Sequence, residues 1–235
     1  MNAYKRMLLA GFCAGSTILA FGSQAQAAKA ASPKVDKTSA AIAAYADELV
    51  IPTYKMMSDN ALKFAKAAKE LKAAPTDAKV AEAGKLLLET RVPWELSESF
   101  LFGPAAFANL DPKLDSWPLD TTNLDAVAKN ADSKSVTIDA ADCESLYSYT
   151  SLVDSRHNVQ SVEKSYNVIS PLVAAKSAKV DQAVKGSIAK VFKSLDAIQG
   201  PLVKNLDKKE QLKAIIDSCK ELSENLDKVQ ELLVK

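Results

Sequence analysis

The chain has 235 residues, and its 30 Lys and Arg residues nearly balance 29 Asp and Glu, for a formal net charge of +1. Bulk electrostatics therefore give no reason to expect a nucleic acid or an anionic lipid surface as a partner. Hydrophobic residues make up 48% of the chain, only 7 residues are glycine and alternating β-branched runs are nearly absent, a composition that favours an all-α protein with one well-buried domain.

The first 27 residues have the pattern of a secretory signal peptide. The basic residues Lys5 and Arg6 precede an apolar stretch over residues 7–21, and Ala25-Gln26-Ala27 supplies the small residues that signal peptidase accepts. We therefore predict an exported protein of the periplasm or cell envelope. Cleavage after Ala27 leaves 208 residues with a formal charge of −1. The sequence offers no candidate for a transmembrane helix.

Residues 28–35 are small and polar, and we predict a disordered leader there, followed by one helical domain over residues 36–235. The first predicted helix runs from about residue 36 to 71, and Pro52 should kink it or divide it in two. Its apolar residues recur at helical spacing: Ile42, Tyr45, Leu49, Met56, Leu62, Phe64, Ala68 and Leu71.

The second predicted helix begins at a cap formed by Thr76 or Asp77 and runs from about residue 78 to 102, with Pro93 inside it. Gly103-Pro104 ends this helix. A proline-stiffened loop follows, then a short helix or turn near residues 123–128 and an irregular polar stretch.

A third long helix is predicted from Asp139 or Asp142 to about Ile169, with Pro171 as its break. Two more helices follow, joined at Gly200-Pro201, and their apolar stripes predict an antiparallel hairpin. The stripes are Val180, Val184, Ile188, Val191, Leu195 and Ile198 in the first helix and Leu212, Ile215, Cys219, Leu222, Leu226, Val229 and Leu233 in the second. The predicted fold is an up-and-down bundle of about five to six helices.

Residues 91–120 are the least typical of a plain helical scaffold, because they hold both tryptophans, four of the nine prolines and three of the seven phenylalanines. Within them Arg91, Glu95 and Glu98 have the spacing of one helix face. One interpretation is a surface ion pair with an extra acid, worth a few tenths of a kcal/mol. The other is an inward polar stripe that binds a cation or a small polar ligand.

The single histidine, His157, excludes any zinc site built on several histidines, including the His-Glu-x-x-His motif. Gln160 stands where a His-x-x-Glu pair would need its acid. A lone histidine on a helix is usually a surface or interface residue, and we assign no role to it.

The segment over residues 147–166 is rich in hydroxyl and amide side chains. Asn158, Ser161, Val162 and Ser165 can share a helix face, and such a face is easiest to explain if it bonds to a second polar helix such as residues 91–98. We therefore predict a buried polar contact between the two segments. The alternative is an ordinary solvated face.

The same two segments resemble the imelysin-like family, whose members are exported bacterial proteins described as peptidases or iron-regulated proteins. The resemblance lies in RVPWELSESFLFGP with the later LDSWPLD, and in YSYTSLVDSRHNVQSVEKSY. It implies an all-helical fold with two bundle-like halves and a polar site at their junction. The family's Gly-x-His-x-x-Glu motif is absent, so the chain resembles a shortened member.

The resemblance implies a ligand site formed by Arg91, Glu98, Trp117 and Asp120 together with Asn158, Ser161 and Glu163, to which the helical spacing adds Glu95. It also implies a link to iron or haem uptake and leaves iron or another hard cation as the candidate cofactor. We therefore expect an exported binding protein with a small ligand or metal ion, in contact with envelope or iron-uptake components. The alternatives are a degenerate metallopeptidase and a non-catalytic structural relative. The sequence leaves open whether Cys143 and Cys219 form a disulfide.

Overall fold

The computed structural model describes residues 36–114 and 149–234, and these residues form helices and no strand, which confirms the predicted all-α class. The predicted signal peptide and leader, the helix or turn near residues 123–128 and the predicted start of the third helix lie outside the described residues. The elements are α1 (Lys37–Ala44), a π-helical turn (Tyr45–Val50), α2 (Ile51–Ala73), α3 (Asp77–Glu95), a 3-10 turn (Glu98–Phe100), α4 (Pro104–Phe107), α5 (Leu110–Leu114), α6 (Ser151–Lys176), α7 (Ala178–Asp196), a second 3-10 turn (Leu202–Asn205) and α8 (Lys209–Val234).

The first predicted helix continues past Pro52 but changes its hydrogen-bonding pattern just before it. A π-helical turn over Tyr45–Val50 joins α1 to α2, and Pro52 lies in the first turn of α2. The predicted apolar stripe is only partly buried. Leu49 is buried, but Leu62 is 69% exposed.

Helices α2 and α3 form an antiparallel hairpin, and Thr76 caps α3 by accepting a hydrogen bond from the backbone of Lys79 at 3.3 Å. Pro93 lies inside α3 and cannot donate to the carbonyl of Glu89 four residues earlier. The side-chain amide of Asn60 on α2 donates to that carbonyl instead, at 2.9 Å. A proline that would weaken an isolated helix thus provides a contact within the hairpin.

The prediction that α3 continues to residue 102 is wrong, because the helix ends at Glu95. The backbone N–H of Ser97 donates to the carbonyl of Trp94 at 2.8 Å, and the Ser97 hydroxyl donates to the same carbonyl at 2.7 Å. These bonds tighten the last turn and lead into the 3-10 turn Glu98–Phe100.

Helix α6 also differs from the prediction, which ended it near Ile169. It passes through Pro171 and reaches Lys176. Pro171 faces solvent, whereas Val173, two residues later, is fully buried against the C-terminal helices. The packing of this last turn offsets the cost of a proline inside the helix.

The main apolar core lies where α6, α7 and α8 meet, and the antiparallel α7–α8 hairpin is confirmed. Lys190 of α7 pairs with Glu221 of α8, and Asn225 of α8 donates to the carbonyl of Ala183 at 3.4 Å. The buried core residues are Val159, Val162, Tyr166, Val173, Val184, Ile188, Val191, Leu195, Leu222 and Val229. Cys219 lies beside this core as a free thiol, and burial raises its pKa to about 11.

A buried carboxylate, Asp181 of α7, ties α6 to α7 at one end of this core. Its Oδ1 accepts from the hydroxyl groups of Tyr166 at 2.9 Å and Ser170 at 2.7 Å, and its Oδ2 pairs with Lys185 at 2.8 Å. Burial raises the pKa of Asp181, but the hydrogen bonds from Lys185, Ser170 and Tyr166 outweigh it, so the pKa lies below its ordinary value. The carboxylate therefore stays charged in the folded protein, held by three donors.

The Asp181→Asn variant should be less stable than the native protein by about 2 kcal/mol at pH 7, because its amide loses the charge-assisted hydrogen bonds. The pKa of Asp181 in the folded protein is lower than its ordinary value of 3.8, so the charged carboxylate contributes its full stabilisation above pH 3.8. That stabilisation is lost as the pH falls through the pKa of the folded protein. Urea unfolding at pH 7 and pH 3 should show the difference shrinking in acid.

Asp227→Asn is the matched control, because Asp227 is an exposed residue of α8; its effect should stay below about 0.5 kcal/mol. If the free energies of unfolding of the native protein and the Asp181→Asn variant differ by the same amount at both pH values, the role of a charged Asp181 is contradicted.

Candidate functional site

Helix α6 has two buried faces of opposite chemistry. One face carries the valines that pack against α7 and α8, and the other turns hydroxyl, amide and carboxylate groups toward α3 and the turn after it. We call the second contact the polar junction. It consists of Arg91, Glu95 and Ser99 from the α3 side, Asp154, Asn158, Ser161 and Ser165 from α6, and Tyr45 from the π-helical turn.

The ionic part of the polar junction is centred on Arg91. Its Nη2 donates to Glu95 Oε1 at 2.6 Å and to Asp154 Oδ2 at 3.3 Å, and Asp154 Oδ2 also accepts from the Thr150 hydroxyl at 2.7 Å. Glu95 is 1% exposed and Asp154 is 3% exposed. The Arg91 side chain is 24% exposed, more than either of the two carboxylates that it joins.

Asn158 joins the same network. In the amide orientation that pairs donors with acceptors, its Nδ2 donates to Glu95 Oε2 at 2.9 Å, to the Glu95 carbonyl at 3.0 Å and to the Asp154 carbonyl at 3.1 Å. Both Glu95 oxygens are therefore held by donors, one from α3 and one from α6. Such paired geometry is what a carboxylate needs to remain buried.

The second part of the polar junction is a chain of hydroxyl groups. Ser161 is fully buried, donates to the Leu96 carbonyl at 2.7 Å and accepts from the backbone N–H of Ser99 at 3.1 Å. The Ser99 hydroxyl lies 2.5 Å from that of Ser161 and 2.6 Å from that of Ser165, which lies 3.3 Å from the Tyr45 hydroxyl. The serines of α6 thus satisfy the backbone where α3 has ended.

Aromatic rings cover this hydroxyl chain. Phe100 is buried and makes edge-to-face contacts with Tyr45 and Tyr54, with ring centroids 6.3 and 5.6 Å apart, and Phe102 stacks on Tyr45. Burial raises the pKa of Tyr54, and the negative charge of Glu98 adds to the increase.

The structure brings four of the predicted site residues together: Arg91, Glu95, Asn158 and Ser161. The predicted contact between residues 91–98 and the α6 segment is therefore present, as an inward contact rather than a solvated face. The expectation that Glu98 shares a helix face with Arg91 and Glu95 is wrong, because α3 ends before it and Glu98 begins the 3-10 turn.

Glu163 is separated from the other predicted residues. It lies five residues after Asn158, about 140° further around the helix, and it lines a groove between α6 and α7. Val162, which was expected on the polar face, packs in the apolar core instead. Trp117 and Asp120 lie outside the described residues.

The sequence prediction missed Asp154, Ser99 and Tyr45. Asp154 had a usable signal, since it precedes Asn158 by four residues and Ser161 by seven and so shares their helix face. Ser99 and Tyr45 had none, because their place depends on where α3 ends and on how α1 packs against α6.

His157 does not belong to the polar junction network. It is half-buried, its Nδ1 atom is buried and has no hydrogen-bond partner in the described structure, and burial lowers its pKa. A neutral imidazole next to the ionic residues is the expected state at neutral pH.

The polar junction does not fit a resident metal ion. Within residues 36–114 and 149–234, no group of three His, Cys, Asp or Glu side chains is arranged to hold one. The two closest carboxylates, Glu95 and Asp154, already have a cation between them, the Arg91 guanidinium. Nor is any helix in these two ranges long and apolar enough to cross a membrane.

Comparisons with known proteins agree with this architecture. A family model described as imelysin, peptidase M75, matches residues 50–142 and 135–229. The "Iron-regulated protein A" of Synechococcus elongatus is 32% identical over 91 residues, which are 39% of this chain and 26% of that protein. The match thus spans about a quarter of the length of that curated relative. No solved structure matches.

The Arg91→Met variant should lose about 3 kcal/mol of stability, because it keeps most of the side-chain volume but leaves the buried Glu95 and Asp154 without their cation. Lys85→Met is the matched control on the same helix, since Lys85 and Glu89 form an exposed pair at 3.7 Å and should contribute less than about 0.5 kcal/mol. Urea unfolding at pH 7 measures both. Equal, small losses in the two variants would show that the junction ions behave as surface charges.

Proposed function

This chain belongs to the imelysin family, and on that premise we propose that it is an exported cell-envelope binding protein linked to iron or haem uptake, with its ligand site at the polar junction. The link to iron is supported by the name of the Synechococcus relative, iron-regulated protein A. Export is supported by the signal-peptide pattern of the first 27 residues.

The observation that carries the proposal is the ordered, nearly dry arrangement of polar groups where α3 meets α6. A buried ionic network stabilises a fold little better than apolar side chains of the same size. It does hold donors and acceptors in fixed positions, which is what a specific ligand site requires. Arg91, Ser99 and Asn158 are each half-buried, so the network reaches the surface along one edge.

A ligand at this edge would meet the partly exposed Arg91 guanidinium, whose partner Glu95 is held by Asn158, and the half-buried carboxylate of Glu98 in the turn after α3. These groups suit a small polar ligand that carries its own charge, and an iron chelate or haem, whose carboxylates can accept from Arg91, belongs to that class. Iron is then the cargo of the protein, carried by the ligand and not bound as a resident cofactor.

A metallopeptidase is less well supported. Peptide hydrolysis by a metal needs ligands and a base around an open coordination position, whereas Glu95 and Asp154 are both engaged by Arg91. A purely structural role is the second candidate. It is favoured by the internal hydrogen bonds of Glu95, Asn158 and Ser161, which already join α3 to α6 without a ligand.

Calorimetric titration with ferric citrate and with haemin tests the proposal. The native protein should bind at least one probe saturably, and Arg91→Met or Asn158→Ala should weaken that binding at least tenfold. Glu82→Gln, an exposed acid of α3, is the control and should bind as the native protein does. Thermal unfolding of each variant checks that the fold is kept.

Saturable binding that Arg91→Met and Asn158→Ala leave intact would remove the site from the polar junction. The absence of binding to either probe would favour the structural role. Chelator-sensitive cleavage of an unfolded protein substrate, lost in Glu98→Gln, would instead favour the peptidase.

A further inference from the structure

A second candidate site lies on the other side of α6, in a groove between α6 and α7 with a volume of about 420 Å³. This volume falls in the range of small-molecule sites, roughly 300–1,000 Å³. The groove is lined by Glu163 and Asn167 of α6 and by Lys185, Ile188, Phe192 and Lys193 of α7. None of these six residues takes part in the polar junction.

The groove is bounded by contacts that hold α6 and α7 together at both ends. At one end Arg156 pairs with Asp196 and places its guanidinium 5.2 Å from the centre of the Phe192 ring. At the other end Asp181 accepts from Tyr166 and pairs with Lys185. Between these ends α7 contributes Ile188 and the small side chain of Ala189 to the lining.

The charges in the groove are of two kinds. Lys185 and Asp196 already have partners, Asp181 and Arg156. Glu163 and Lys193 have no ion pair or hydrogen bond from their side chains anywhere in the described parts of the chain, although they line the same groove. One free carboxylate and one free ammonium group thus stand at a surface whose apolar part is the buried Ile188 and the half-buried Phe192.

The geometry points to a site for an apolar α-amino acid in this groove. The ligand carboxylate would pair with Lys193, and its ammonium group would pair with Glu163 and donate to the side-chain oxygen of Asn167. Its apolar side chain would cover Ile188 and the Phe192 ring. A zwitterion with an apolar body is the simplest molecule that uses both free charges and the apolar surface at once.

Ligands with a single charge fit less well. An anion would meet Lys193 but would also be repelled by Glu163 and Asp196, and a cation would be repelled by Lys185 and Lys193. Opposite charges at the two ends of one small molecule remove this conflict. This binding function is separate from the one proposed for the polar junction, since α6 uses different faces for the two.

Titrations followed by NMR, with three related probes, test the amino-acid site on the full chain. L-phenylalanine carries both charges, N-acetyl-L-phenylalanine lacks the ammonium group and L-phenylalaninamide lacks the carboxylate. The native protein should bind phenylalanine at least tenfold more tightly than either derivative. Chemical-shift changes should appear at Asn167, Ile188 and Phe192.

The variants make the assignment specific. Glu163→Gln should weaken the binding of phenylalanine and phenylalaninamide but not that of the N-acetyl derivative, and Lys193→Gln should weaken the binding of phenylalanine and the N-acetyl derivative but not that of phenylalaninamide. Lys179→Gln on α7 and Glu224→Gln on α8, both exposed, are the controls. The inference is overturned by an absence of saturable binding to the native protein, by equal affinity for the three probes, or by variants that do not follow this pattern.

Discussion

The position of the N-terminal helices depends on one ionic contact, the Arg91 guanidinium between Glu95 of its own helix and Asp154 of α6. Charges this deeply buried are stable only when they are paired and their remaining oxygens accept hydrogen bonds. Asn158 donates to the second oxygen of Glu95, and Thr150 adds a donor to the Asp154 oxygen that pairs with Arg91. Helices α3 and α6 therefore pack at the distance at which five side chains meet: Arg91, Glu95, Thr150, Asp154 and Asn158. As a result, the serines one to three turns further along α6 lie beside Ser99 and Leu96.

Helix α6 thus joins two parts of the molecule by different physical means. Toward α7 and α8 it buries valines, a non-directional contact that tolerates small shifts. Toward α3 it offers groups that bond only at fixed distances and angles. The apolar side supplies most of the stability, and the polar side determines the register. This division explains why the proposed ligand site lies on the polar side, where groups are held in defined positions.

The sequence predicted the features that depend on local pattern. The α7 and α8 stripes and a cap at Thr76 or Asp77 follow from helical periodicity and cap preference, and an irregularity of the helix near Pro52 follows from the missing N–H of proline. The contact between residues 91–98 and α6 was also foreseen, from the density of polar side chains. Features decided by tertiary packing were not: Asn60 supports Glu89 opposite Pro93, and the packing of Val173 carries α6 past Pro171. The sequence misplaced Glu98 and Glu163 for the same reason. The position of Glu98 depends on where α3 ends, and that of Glu163 depends on which side of α6 each neighbouring helix packs against.

The most direct measurement of the central claim is a double-mutant cycle between Arg91 and Asp154, which are 63 residues apart in the chain and 3.3 Å apart in the structure. The cycle uses Arg91→Met, Asp154→Asn and the double variant, with the free energy of unfolding as the readout. If this ion pair sets the docking of α3 on α6, the double variant should be more stable than the sum of the single losses predicts, by at least about 1 kcal/mol. Losses that add to within about 0.3 kcal/mol would show that the two residues act independently and would contradict the account.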